Sequence, residues 1–287
     1  MYYGLIVLSV IMFGACFAFK DVYRKERGSG IKISLEFSFF SSISALIAMA
    51  LISGLKFEFT PFTLIMAMLV AVNGFAFTFF SFKALSVTNL SVYSLFSMLG
   101  GMALPFAQGI LFYDEDMTLA KTVCFLFILA ALLLTVKRGE KKRGTLYYAG
   151  IFILNGMSGV LSKIYTSAPF EKASAAGYST MSSLCSVVIA AILLITLGKK
   201  MGSTPPHTPL SLTMSAISGA TNKIANFLLI IALAHVDASV QYPMVTGGVM
   251  IVSTAVCFFS KKTPTKRELA SVVLAFIGLL LLFIIPI

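Results

Sequence analysis

The sequence contains no tryptophan, only two histidines and few charged side chains. Charged residues occupy 11% of the 287 positions, hydrophobic residues occupy 58%, and the mean hydropathy is +0.95. Soluble domains carry about 25% charged residues, and a water-soluble fold of this size would have no means of hiding so much apolar surface. The composition therefore excludes a soluble globular domain and predicts a protein whose main solvent is lipid.

Residues that usually carry catalysis or bind metals are scarce as well. His207 lies in a proline-rich segment, and His235 stands just before a predicted turn. The four cysteines stand singly in apolar runs, without a C-x-x-C or Cys/His grouping: Cys16, Cys124, Cys185 and Cys257. There is no H-E-x-x-H motif, no G-x-x-x-x-G-K-[ST] motif and no deep carboxylate pair. We therefore expect no enzyme activity, no direct drive by ATP, and no metal or other cofactor.

Basic residues outnumber acidic ones by 22 to 11. They stand in short clusters between apolar runs rather than along one face, and no nucleic-acid-binding motif accompanies them. This pattern indicates membrane topology rather than nucleic-acid binding. The expected partners are the lipid bilayer and a small-molecule substrate, and the chain is expected to be a monomer or a homodimer.

Ten apolar stretches are long enough to cross a bilayer as helices, which takes about 20 residues each. The predicted spans are 2–20, 33–54, 61–82, 88–112, 118–136, 145–167, 173–198, 209–233, 238–260 and 266–285. The stretches are continuously apolar, which favours α-helices over the alternating strands of a barrel. An all-α polytopic membrane protein with ten transmembrane helices is predicted.

Lysine and arginine are distributed unequally between the two sides of this arrangement. Most of them follow the first, fifth, seventh and ninth spans, and the opposite side holds only Lys56, Lys121, Lys163 and Lys172. Basic residues concentrate on the cytoplasmic side of membrane proteins. We therefore expect a multi-pass protein of the plasma membrane with both termini outside the cytoplasm.

A weak internal repeat relates the two halves of the chain. Ala84-Leu85, Asn89 and Gly100 recur 148 positions later as Ala232-Leu233, Asp237 and Gly248, and Tyr2-Tyr3 and Gly14 match Tyr147-Tyr148 and Gly159. With five spans in each half, the two copies must have opposite orientations. The sequence thus predicts two inverted five-helix repeats, residues 1–139 and 140–287, an architecture of alternating-access transporters.

Ten helices in two inverted halves, without a soluble domain, resemble the EamA-type branch of the drug/metabolite transporter superfamily. In that family the first four helices of each half surround a central cavity, and the fifth helix is peripheral. The resemblance implies a secondary transporter, whether exporter, importer or exchanger, of a small organic metabolite. It does not choose the substrate, because the family carries many kinds.

Polar side chains at helical spacing should mark the transport path, since polar groups in a bilayer must face protein or water. The strongest stripe lies in the eighth span, and stripes in the fourth and ninth spans coincide under the 148-residue offset. The candidate substrate-binding residues are Lys223, Asn222, Asn226, Tyr242, Asn73, Asn155, Ser94, Tyr93 and Thr246.

Lys223 is the strongest of these candidates because it stands near the middle of its span. Placing a charged side chain there costs about 2.5–3.5 kcal/mol on insertion scales, so a substrate or coupling ion should compensate for it. The alternative is a structural clip to the neighbouring asparagines. A lysine favours an anionic or zwitterionic substrate, such as an amino acid or a phosphorylated or carboxylated metabolite.

Acidic residues are missing from the middle of every span, and Glu36 is the deepest of them. The first span has no carboxylate, which disfavours proton-driven efflux of cationic drugs. Alternatives that stay open within the transporter class are a lipid-linked headgroup flippase and a transporter of cationic drugs or amines. Outside that class, the alternatives are an intramembrane enzyme and a membrane scaffold.

Overall fold

The protein folds into ten α-helices joined by short connections. The computed structural model describes residues 1–87, 90–135, 142–198, 201–259 and 265–285, and no strand occurs within these ranges. The helices are α1 (Tyr2–Arg27), α2 (Ile31–Ile52), α3 (Pro61–Val87), α4 (Leu90–Phe112), α5 (Leu119–Thr135), α6 (Lys142–Ser167), α7 (Ala175–Leu197), α8 (Pro209–Leu233), α9 (Ala238–Phe259) and α10 (Lys266–Ile284). The all-α class and the predicted number of helices are therefore confirmed.

Five helices in the described ranges are long and apolar enough to cross a membrane, namely α1, α2, α3, α7 and α8. Large apolar side chains also cover their outer surfaces. Ile47, Leu51, Ile65, Val72 and Ile192 are each more than half exposed. A surface of this kind suits contact with lipid chains, as the composition predicts.

Helix α1 is longer than its sequence indicates. The prediction that it ends at residue 20 is wrong, because the helix continues to Arg27. Asp21 pairs with Arg24 at 2.9 Å and with Lys25 at 2.5 Å across one helical turn, which supports the extension. Gly28, at a φ of 101°, then ends the helix in a conformation that suits glycine.

The helix contacts follow a regular scheme. Helix α1 packs against α8 and α9, while α6 packs against α3 and α4; α2 packs against α7, α4 against α9, and α5 against α10. If each helix of the first half is exchanged with the helix five numbers later, so that α1 exchanges with α6 and α3 with α8, the same set of contacts results. The pair of α5 and α10 flanks the other eight helices through α4 and α9.

Two glycines allow helices to approach backbone to backbone. A Cβ atom on Gly100 of α4 would lie 1.9 Å from the carbonyl oxygen of Phe152 in α6. A Cβ atom on Gly219 of α8 would lie 1.9 Å from the carbonyl oxygen of Ser41 in α2. Because the obstructing atoms are backbone atoms, a side chain at either position would push the two helices apart.

We expect Gly100→Ala to lower the thermal stability of the protein, by roughly the 1–3 kcal/mol that overpacking costs. Gly74→Ala is the matched control, since a Cβ atom at Gly74 of α3 would meet nothing within 4 Å. Melting curves of the purified protein in detergent, followed by size-exclusion chromatography, would check both. Equal melting temperatures for the two variants would contradict the close approach of α4 and α6.

Candidate ligand-binding cavity

A cavity of about 280 Å³, with both polar and apolar groups in its wall, lies between eight of the ten helices. Its wall is formed by residues of α1, α2, α3, α4, α6, α7, α8 and α9, and no described residue of α5 or α10 contributes. The volume is close to the lower end of the range of pockets that hold small organic ligands. The cavity can therefore take a molecule of metabolite size.

Hydroxyl groups make up much of the wall. The serines that line the cavity are Ser38, Ser41, Ser42, Ser158, Ser162, Ser179, Ser182, Ser183, Ser186 and Ser218. Those of α7 follow positions i, i+3, i+4 and i+7, a helical stripe that the sequence analysis did not single out. The cavity thus offers many neutral groups that can donate and accept hydrogen bonds.

Lys223 projects into the cavity from α8 and links that helix to α7. Its Nζ atom donates a hydrogen bond to Ser182 Oγ at 2.5 Å. The neighbouring asparagines bond to each other, with Asn226 Nδ2 donating to the carbonyl oxygen of Asn222 at 2.8 Å. The alternative considered for Lys223, a clip to these asparagines, is therefore not among the described hydrogen bonds, in which Lys223 bonds to Ser182.

A second lysine, Lys20, lines the cavity from α1. It is 8% exposed, and its Nζ atom lies 4.9 Å from the ring centre of Phe77 and 5.9 Å from that of Phe37. Lys20 is the last residue of the predicted first span, and the sequence analysis did not include it among the candidate site residues. The signal that could have found it is its position seven residues after Phe13 and four after Cys16, two residues on the cavity face of α1.

The cavity wall contains no carboxylate among the described residues. Asp21, Glu36 and Glu115 lie on elements next to the cavity, but each of these three side chains is paired with another base. Those bases are Arg24 and Lys25 for Asp21, Arg27 for Glu36, and Lys163 for Glu115. Within the described ranges, Lys20 and Lys223 therefore have no acidic partner.

Most of the predicted site residues lie together. Those that line the cavity are Lys223, Asn222, Asn226, Tyr242, Asn155 and Thr246. They come from α6, α8 and α9. These six candidate residues therefore share one cavity wall.

Two predicted residues lie outside this wall. Asn73 donates to the carbonyl oxygen of Leu154 at 2.9 Å and to Ser158 Oγ at 2.8 Å, so its amide joins α3 to α6. Tyr93 is fully buried and donates to Ser81 Oγ at 2.9 Å. Both side chains use their polar groups within the protein, as helix-joining residues do. The side chain of Ser94 lies outside the described residues.

Several buried polar atoms of the wall have no hydrogen-bond partner in the described part of the protein. They are Ser38 Oγ, Tyr178 OH, Ser179 Oγ and Gln241 Oε1. Gln241 is 1% exposed, so water does not reach its amide from outside the protein. An unsatisfied buried polar group costs about 1–3 kcal/mol, which a polar ligand in the cavity would recover.

One end of the helix bundle is tied by an ion pair between Arg27 of α1 and Glu36 of α2. Thr204 Oγ1 donates to Glu36 Oε1 at 2.9 Å, and His207 Nε2 lies 3.3 Å from Arg27 Nη2. Burial lowers the pKa of His207 below its usual value, and the Arg27 charge lowers it further against the opposing effect of Glu36. A neutral His207 can accept a hydrogen bond from Arg27, so the segment 204–207 is held onto α1 and α2.

The opposite end is tied by a second ion pair. Lys163 Nζ of α6 lies 2.6 Å from Glu115 Oε1, and the backbone N–H of Ser239 in α9 donates to Glu115 Oε2 at 3.1 Å. Burial by itself would raise the pKa of Glu115, but the bonds from Lys163 and Ser239 and the Lys163 charge together hold it below its usual value. Glu115 thus connects the segment 113–118 to α6 and α9.

The lowered pKa of Glu115 predicts how acid affects this tie. A carboxylate with a depressed pKa stabilises the fold fully above its unfolded pKa of about 4.3 and loses that contribution as the pH falls through its lower folded pKa. The melting temperature of the wild type should therefore exceed that of Glu115→Gln by a constant amount above about pH 5, and the difference should shrink only below about pH 4.3. A difference that vanished between pH 7 and pH 5 would contradict this assignment.

No protein-family model matches the chain, and no curated protein matches it in sequence. Solved structures do share its fold. One of them, described only as "Crystal structure of protein", superposes with a TM-score of 0.68 over 96% of this chain and 94% of that chain, at 16% sequence identity. At this identity the likeness concerns the fold alone, and it shows that the chain is similar to a solved protein over almost the full length of both.

Proposed function

We propose that the protein is a secondary transporter of a small organic anion or zwitterion that works by alternating access in the plasma membrane. The observation that carries the proposal is the cavity between eight helices, whose wall bears two lysines and no carboxylate among the described residues. Channels need a continuous water-filled pore, whereas a metabolite-sized cavity between the helices of a bundle, with hydroxyl and ammonium groups in its wall, is what a carrier needs. Such a wall would repel a cation, so we favour anions over amines and cationic drugs.

The proposal includes the inverted repeat, which several contacts support. Gly14 of α1 approaches Val252 of α9, and its repeat partner Gly159 of α6 approaches Pro105 of α4. Contacts that recur when the halves are exchanged are expected of a molecule with an internal two-fold axis.

A hydrogen bond between α4 and α9 adds to this support. Thr246 Oγ1 donates to the carbonyl oxygen of Met98 at 2.9 Å, and the two residues are 148 positions apart. This separation equals the offset of the sequence repeat, so the two residues are equivalent positions in the two halves. Equivalent positions touch only next to a two-fold axis, which would run between α4 and α9.

The repeat boundaries, residues 1–139 and 140–287, the EamA-type assignment and the outside position of both termini belong to the same proposal. The flanking position of α5 and α10 is in keeping with the EamA-type pattern, in which the fifth helix of each half stays off the path. A flippase would need a lateral opening between helices, and no contact described above favours one.

Reconstitution of the purified protein into liposomes would test transport. A panel of labelled carboxylates, phosphate esters, amino acids and amines should show saturable uptake of an anion or zwitterion and none of simple amines. Uptake of amines alone would overturn the anion assignment. The absence of uptake and exchange for every class would overturn the transporter.

Cys16 offers a natural reporter of alternating access, because it lines the cavity and is 3% exposed. A variant in which Cys16 is the single cysteine should react with a membrane-impermeant thiol reagent from either side of the membrane. Saturating substrate should change the rates at which Cys16 is labelled from the two sides. The two rates should change in opposite directions if the substrate shifts the balance between the outward-open and the inward-open state. Reaction from one side only, under all conditions, would contradict alternating access.

A further inference from the structure

The register of α1 against α8 fixes the relative depth of the two cavity lysines. Two hydrogen bonds join these helices: Ser9 Oγ donates to the carbonyl oxygen of Ala225 at 3.1 Å, and Cys16 Sγ to that of Ser218 at 3.5 Å. The residue number rises along α1 as it falls along α8. The two helices are therefore antiparallel, with Cys16 level with Ser218.

From this level the lysines lie in opposite directions. Lys20 is four residues beyond Cys16 on α1, and Lys223 is five residues beyond Ser218 on the antiparallel α8. At a rise of 1.5 Å per residue, their Cα atoms are separated by about 13 Å along the helix axes. The two ammonium groups thus enter the cavity from different depths rather than from one spot.

Two unpartnered buried hydroxyl groups stand on the helix segments that contact the two lysines. Ser38 follows Phe37, whose ring centre is 5.9 Å from Lys20 Nζ, and Ser38 Oγ has no hydrogen-bond partner in the described ranges. Ser179 lies one turn before Ser182, the partner of Lys223, and Ser179 Oγ has none either. Ser38 is 7% exposed and Ser179 is 1% exposed, and both line the cavity.

An ammonium group beside an unpartnered hydroxyl donor is a suitable site for an anionic oxygen. The cavity wall presents two lysines at two depths, each with such a hydroxyl group on the helix segment that contacts it, and the described wall provides no carboxylate to neutralise either lysine. A ligand with a single acidic group would compensate one buried ammonium and leave the other unpaired, which is costly in a membrane. A ligand with two acidic groups would compensate both.

We propose that this cavity binds organic dianions whose two acidic groups are separated, with one group at Lys20 and Ser38 and the other at Lys223 and Ser179. Both α,ω-dicarboxylates and phosphorylated carboxylates have this chemistry. The inference rests on the proposed function, because it names the substrate class of the same cavity. It makes Lys20, which the sequence analysis did not consider, a specificity-determining residue.

The test compares ligands of equal length with one and two charges. Purified protein in detergent is titrated with succinate, glutarate, adipate and pimelate, with the monocarboxylates of the same chain length, and with phosphoglycolate, and binding is read from the shift of the melting temperature. We expect the best dianion to bind at least about tenfold more tightly than its monocarboxylate counterpart. Equal affinity of mono- and dianions, or no binding of any dianion, would overturn the inference.

Variants assign the two charges to the two lysines. Lys20→Gln and Lys223→Gln should each lower dianion affinity at least about tenfold, and Lys20→Arg should retain most of it. Lys83→Gln is the matched control, because Lys83 also contacts an aromatic ring, that of Phe79, but does not line the cavity. If Lys20→Gln remained folded and bound dianions as the wild type does, the two-lysine site would be wrong.

The same variants in liposomes separate this inference from the transport proposal. If the protein took up a neutral molecule or a monoanion, and Lys20→Gln did not change that uptake, the dianion site would be refuted and the transport proposal would be retained. Dianion binding that needs both lysines, without uptake or exchange of that dianion, would refute the transporter and leave the site standing.

Discussion

Replacement of Lys223 by glutamine should strongly weaken uptake of the anionic substrate while the protein stays folded. Removing one partner of a buried charge pair costs about 2–5 kcal/mol, which corresponds to a loss of affinity of about 30-fold to several thousandfold. The fold itself should not suffer, because an amide is less costly to bury in a membrane than an ammonium group.

The measurement is the initial rate of uptake into liposomes over a range of substrate concentrations. The variant should raise KM strongly, and Lys223→Arg should recover part of the affinity because it keeps the charge. Lys83→Gln, outside the cavity wall, should transport as the wild type does.

Ser182→Ala distinguishes the proposed role of Lys223 from a structural clip. If the lysine served only to join α8 to α7, loss of Ser182 Oγ, its hydrogen-bond partner, would be as harmful as loss of the lysine. If Lys223 binds substrate, Ser182→Ala should have much the smaller effect on uptake. Normal uptake of every substrate by Lys223→Gln would reduce this lysine to a structural residue.

The number of helices was predictable because a bilayer leaves the backbone few choices. Every N–H and C=O group inside lipid must be bonded within its own segment, so a continuous apolar run of about 20 residues can only be a helix. The end of α1 was not predictable in the same way. Its last two turns carry charged residues that resemble a loop, and Asp21 neutralises two of them locally.

The site was predictable only where a polar group stood alone. Lys223 interrupts an apolar span, and the structure places it in the cavity wall. Lys20 was missed because it stands beside Asp21 at the point where the apolar run stops, although its Nζ atom lies among aromatic rings. Asn73 looked equivalent to Asn155, but a stripe on one helix does not say which neighbouring helix faces it. Asn73 meets backbone of α6, outside the wall.

The two ion pairs lie at opposite ends of the bundle and join different helices. Glu36 ties α2 to α1 at one end, and Glu115 ties the 113–118 segment to α6 and α9 at the other. Both ion pairs are formed in this structure. Alternating access requires that one end opens while the other stays shut, so the strength of each tie should set the balance between the two states.

Replacement of Glu36 by glutamine should therefore destabilise the protein and also open the end of the bundle at which Arg27 and Glu36 lie. The side chain of Arg27 is 1% exposed, so the substitution leaves a buried guanidinium group without its counter-charge. Breaking a buried pair in this way costs about 3–5 kcal/mol. We expect a lower melting temperature and faster labelling of Cys16 from the proposed cytoplasmic side.

Asp21→Asn is the matched control for this prediction. The side chains of Asp21 and Glu36 are both 11% exposed, but the bases paired with Asp21 are 16% and 45% exposed, so water can solvate them once the carboxylate is gone. That substitution should cost about 1 kcal/mol or less. The double variant Arg27→Met with Glu36→Gln should recover much of the lost stability, because no buried charge then remains unpaired. If Asp21→Asn were as harmful as Glu36→Gln, or if the double variant were no more stable than the single one, burial of Arg27 would not be what makes this tie strong.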